Sequence, residues 1–99
     1  MNDLPFPFPK KSWKKNEWNQ LKGLTKIEMI RLLEKDDRWE HVATKGSRYI
    51  FYNPDLPEPF RYVEIHHHRE GYRDKGLLRK LIDHICWTRE DLRNWGVIR

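Results

Sequence analysis

The chain has 99 residues, 37% hydrophobic and 35% charged, which suits one domain with a small core. The lack of a long apolar run excludes a membrane span, and no signal-peptide pattern opens the chain. Twenty Lys and Arg against fifteen Asp and Glu give +5, favouring a polyanion such as nucleic acid, or an acidic protein partner.

Residues 1–23 differ in texture from the rest of the chain. The alternating "PFPFP" restricts φ at every second residue and predicts an extended, polyproline-like path. Five lysines (Lys10, Lys11, Lys14, Lys15, Lys22) face only Asp3 and Glu17, with Trp13 and Trp18 among them. Two readings compete: an N-terminal extended arm that contacts nucleic acid, or an extension whose aromatics pack on the domain surface.

Residues 24–99 read as one domain. In "LTKIEMIRLLEKDDRW", Thr25 and Glu28 form a T-x-x-E capping box, and Leu24 and Met29 occupy the two positions of a hydrophobic staple. Ile27, Ile30 and Leu33 recur at three-residue steps, which predicts a helix over about 26–35. "RWEHVAT" and "RYIFYN" are rich in aromatic and β-branched residues, and Gly46–Ser47 between them reads as a tight turn. A proline-laden loop, "NPDLPEP", leads to a third strand, "FRYVEIH". Short connections make this an antiparallel meander. In its last strand Val63 and Ile65 point one way and Tyr62, Glu64 and His66 the other.

The chain then returns to helix. Leu77, Leu78, Leu81, Ile82 and Ile85 follow the 3.6-residue rhythm behind Asp74 as N-cap, leaving Arg79, Lys80 and Asp83 to solvent. Cys86, the lone cysteine, falls in this apolar pattern. That predicts a buried, inert thiol, no internal disulfide and a reducing, cytoplasmic setting. "TREDLRNWG" supplies a T-x-x-D cap, a short C-terminal helix and Gly96 as its stop. The order arm–α–β–β–β–α–α predicts an α+β sandwich with helices on one sheet face.

The triple histidine of "VEIHHHREGY" carries the candidate chemistry. Strand alternation puts His66 and His68 on one face and His67 on the other. A zinc site needs further ligands. His41, Glu64 and Cys86 are the candidates, but no C-x-x-C or H-E-x-x-H spacing supports them, so no metal or other cofactor is expected. Acid–base chemistry asks for less. One or two imidazoles beside a cation, with Arg69 and Arg73 close in sequence, suffice for metal-free RNA cleavage. A polar strand end without chemistry is the competing reading.

"LTKIEMIRLLEKDDRWEHVATKGSRYIFYNPD", "RYVEIHHH" and "KGLLRKLID" together resemble the HicA (YcfA-like) family of bacterial toxins. Leu32, Leu33, Glu34 and Lys35 with Trp39 match the family's first helix end. Gly46–Ser47 and Asn53–Pro54 match its hairpin, His68 its third-strand histidine, and Gly76, Leu78 and Arg79 its last helix. The resemblance spans roughly residues 24–85. It implies a double-stranded-RNA-binding-domain-like α-β-β-β-α fold, mRNA cleavage without metal, and a HicB-like antitoxin that masks the RNA face. One departure is decisive. The family's catalytic histidine directly follows the Gly-Ser pair, and this chain has Arg48 there. Arginine does not exchange protons near neutrality, but it does hold phosphate.

The resemblance thus implies an RNA-binding protein that is either an mRNA interferase with a rearranged site or its catalytically impaired derivative. Arg48 would clamp phosphate and His68, with His66 in support, would act as general acid or base. Gly46 and Ser47 would shape the turn, and Lys45, Arg79 and Lys80 would add RNA contacts. The alternative is a protein-interaction module that docks an acidic partner and never touches nucleic acid.

Overall fold

A computed structural model describes residues 12–99; "PFPFP", Asp3, Lys10 and Lys11 of the expected arm lie outside them. The fold is α+β. In chain order it runs α1 (Lys15–Leu21), α2 (Lys26–Lys35), β1 (Glu40–Lys45), β2 (Arg48–Tyr52), β3 (Tyr62–His66), α3 (Lys75–Ile85) and α4 (Arg89–Asn94). These elements fall into two units. Residues 23–73 hold α2 and the sheet, and residues 12–22 with 74–99 hold α1, α3 and α4.

In the sheet unit, α2 starts where its capping box predicts. The Thr25 hydroxyl accepts from the Glu28 N–H at 3.2 Å, and the Glu28 carboxylate accepts from the Thr25 N–H at 2.9 Å. The next two N–H groups, orphans at any helix start, donate to chain carbonyls beyond β3: Lys26 to Glu70 at 3.1 Å and Ile27 to His68 at 3.0 Å. A β-bridge between Thr25 and Gly71 completes this seam. Met29, Ile30, Leu32 and Leu33 are buried, and α2 packs against β3, whose Val63 and Ile65 are buried too.

The sheet is an antiparallel meander in the order β1-β2-β3. Gly46 and Ser47 join β1 to β2, with Lys45 paired to Arg48. Gly46 has φ +61°, the left-handed conformation that glycine adopts freely at the first central position of a two-residue hairpin. A bulge between His41 and Ala43 inserts one extra residue into β1. It lets His41 and Thr44, three apart, share a face, where they hydrogen-bond at 2.8 Å. Phe51, fully buried, anchors the core side of β2.

The second unit corrects three expectations. Residues 15–21, expected to be part of an extended arm, form helix α1. Its start is stabilised by Glu17, which accepts from the Lys14 N–H at 2.8 Å and from the Arg89 guanidinium Nε at 2.8 Å. In α3, Asp74 caps the start through Gly76 and Leu77 N–H groups, but the buried face is turned by about one residue. Leu78, Ile82 and Ile85 are buried as predicted. Asp83, expected in solvent, is buried and Arg79 is half-buried, whereas Leu77 is 56% exposed. Residues 79 and 83 lie one helical turn apart on one flank and residue 77 lies on the other, so a rotation of the buried stripe accounts for all three. Third, Cys86 is half-buried rather than buried, at the left-handed C-cap of α3 with φ +67°. The Thr88–Asp91 box and Gly96 close α4 as the sequence predicts. Among the described residues no helix is long and apolar enough to cross a membrane.

Candidate functional site

Strand register decides which predicted residues meet. Arg48 pairs with His66 across β2 and β3, and with Lys45 across β1 and β2. Directly opposed residues of an antiparallel sheet project to one side. Lys45, Arg48 and His66 therefore share the exposed face of the sheet at its hairpin end, and all three side chains are exposed. His68 joins them, its ring parallel to that of His66 with centroids 5.9 Å apart. Gly46 and Ser47 form the adjoining turn.

The backbone of the triple histidine ties this end together. The His67 N–H donates to the Ser47 carbonyl at 2.6 Å, and the His68 N–H to the His66 carbonyl at 3.0 Å. The His68 carbonyl in turn accepts from Ile27 at the start of α2. The run is thus a splice between the β1–β2 turn and the helix. His67 points the other way, as alternation predicts, and stacks on Tyr49 at 5.1 Å; His41 stacks on the same tyrosine at 4.9 Å.

Charge on the exposed face is mixed. The Arg48 guanidinium Nη1 lies 3.1 Å from Glu64 Oε1, with the two side chains 50% and 44% exposed. Glu64 occupies the next position along this face of β3, opposite Ile50. Beyond it, Tyr52 and Tyr62 pair with ring centroids 4.9 Å apart. In the sequence Glu64 stands out chemically only as a candidate metal ligand; its meeting with Arg48 comes from the register, which alternation within one strand does not reveal. Beside the site, Lys26 bonds Glu70 at 3.1 Å and holds its carboxyl below the ordinary 4.5. Burial pushes the Tyr72 phenol up to about 12.

The remaining predicted contacts stand in the helical unit. Arg79 and Lys80 lie on α3, and the Arg79 guanidinium sits 5.7 Å from the Trp18 ring centre. Trp13 is buried, with the Arg89 guanidinium 5.0 Å from its ring centre. Both tryptophans thus pack within their unit. Among the described residues no three His, Cys, Asp or Glu side chains are arranged to hold a metal ion.

What the sheet end offers chemically is a guanidinium for an anion, imidazoles able to donate or accept a proton, and a carboxylate within reach of the guanidinium. No family model matches the chain, and neither a curated protein nor a solved structure matches it.

Proposed function

We propose that the protein is a HicA-like, RNA-directed endoribonuclease of the cytoplasm, with a double-stranded-RNA-binding-domain-like fold, that works at the hairpin end of its exposed sheet face. The observation that carries this reading is the pairing of Arg48 with His66 on that face. Arg48 takes the place of the family's catalytic histidine and holds the phosphate, because a guanidinium binds phosphate oxygens in a fork and keeps its charge. Proton transfer then falls to an imidazole beside it. His66, expected from the sequence only to support His68, takes the leading role because it stands directly opposite Arg48, and His68, parallel to it, supports it. A HicB-like antitoxin would act by covering this face, and an acidic surface on it would suit the +5 charge.

His66→Ala should lower RNA cleavage in the presence of a chelator by about 10²–10⁴-fold, the usual contribution of a positioned acid or base. The measurement is single-turnover cleavage of a labelled RNA with native and variant protein. Equal rates would remove His66 from the chemistry.

A second reading is favoured by Arg48 itself: a site that has exchanged its proton carrier for a permanent cation is suited to binding without cleavage. Native protein that shifts RNA in a gel but leaves it intact would select that reading. Absence of a shift at low salt would select a protein-interaction module instead.

A further inference from the structure

We infer that Glu64 is the general base of the exposed sheet face, an inference that rests on the cleavage reading above. The support is positional. On β3, Glu64 stands between Tyr62 and His66 on one face, each two residues away and therefore about 7 Å along the strand. Arg48 lies opposite His66 yet reaches back diagonally to Glu64 at 3.1 Å. A phosphate held by this guanidinium would have the carboxylate on one side and the imidazole on the other. Metal-free phosphodiester cleavage needs that division of labour, with base and acid flanking a cation-bound phosphate. Glu64 is open to solvent, and among the described residues Arg48 is its one charged partner. Ile50 stands opposite and Lys45 lies beyond Arg48; the titratable groups on the same face are Tyr62 and His66 on either side, His68 against His66, Tyr52 opposite Tyr62, and Glu40 opposite Tyr52.

The step balances without a co-reactant. The Glu64 carboxylate takes the proton of the ribose 2′-hydroxyl as the 2′-oxygen bonds to phosphorus. The bond from phosphorus to the 5′-oxygen breaks, and that oxygen takes a proton from His66. One strand ends in a 2′,3′-cyclic phosphate and the other begins with a 5′-hydroxyl. Glu64 is left protonated and His66 deprotonated, and exchange with water restores both.

The same geometry makes Glu64 compete with RNA for Arg48, which separates this role from a structural one. Glu64→Gln should bind RNA more tightly, lowering KM, while kcat falls by about 10²–10⁴-fold. The limb of the pH–rate profile on which activity rises with pH should disappear in Glu64→Gln and persist in Glu64→Asp with partly restored kcat. The experiment is steady-state cleavage of an RNA oligonucleotide across pH by native protein and both variants. An unchanged kcat in Glu64→Gln, or loss of kcat with a retained rising limb, overturns the inference and leaves the cleavage reading standing. Native protein that leaves the RNA intact overturns both. Glu64→Asp keeps the test decisive if the glutamine variant does not fold: an aspartate profile without the rising limb is equally contrary.

Discussion

Arg48 has little to do for the fold. Its ion pair with Glu64 joins two half-exposed side chains, and such pairs contribute about 0–1 kcal/mol. A residue that does little for stability on the wet side of a hairpin is available for binding. Its neighbour Gly46 has the opposite character. Gly46 holds φ +61°, and a Cβ added there would meet nothing within 4 Å. The cost of Gly46→Ala is therefore backbone strain alone, roughly 1–2 kcal/mol. Urea denaturation should show a lower midpoint with an unchanged slope. At this scale the sequence is highly legible where a single strand decides. Alternation separates His66 and His68 from His67 without a structure. It does not show that Arg48 faces His66 or reaches Glu64, because those relations depend on how two strands align across a long proline-rich loop that no local pattern determines.

At the level of elements, legibility depends on how local the stabilising contacts are. Helix α2 is readable because its cap, staple and apolar face all lie within one short stretch of chain. The same holds for the Asp74 cap of α3 and the Thr88 box of α4. Helix α1 is not readable in this way. It has seven residues, and the Glu17 at its start is held by Arg89, 72 residues further on. Isolated helices this short are marginal, so tertiary partners decide.

Glu17 is only 2% exposed, and Arg89, which also donates to the Ser12 carbonyl, keeps its carboxyl below the ordinary 4.5, helped by the Lys14 N–H. A depressed folded-state value means that the unfolded chain takes up the proton first as pH falls. The pair therefore stabilises the protein fully above the ordinary value of 4.5, and that contribution is lost as pH drops through the lowered one. Glu17→Gln should melt below the native protein near neutral pH, and the difference should shrink in acid below the ordinary carboxylate range. Thermal melts followed by circular dichroism under the two conditions check this. A constant difference would mean that packing, not charge, sets the contribution of Glu17.

For the molecule as a whole, the α+β class and the three-stranded meander are readable from sequence, since hydrophobic period changes from helical to alternating and back along the chain. The division into two units is not, because one of them joins residues 12–22 to residues 74–99 and contacts of that span leave no local pattern. Function at this scale is a question of where the +5 charge acts. The central claim is that RNA phosphate is held at the hairpin end of the exposed sheet face. Its most direct test is the affinity of native protein and Arg48→Ala for a single-stranded RNA across a range of salt concentrations. The account predicts binding by the native protein that weakens with salt. It also predicts weaker binding by Arg48→Ala, with a logarithmic salt slope shallower by about 1. Identical affinity and slope for the two proteins, or no binding by the native protein at low salt, would contradict it.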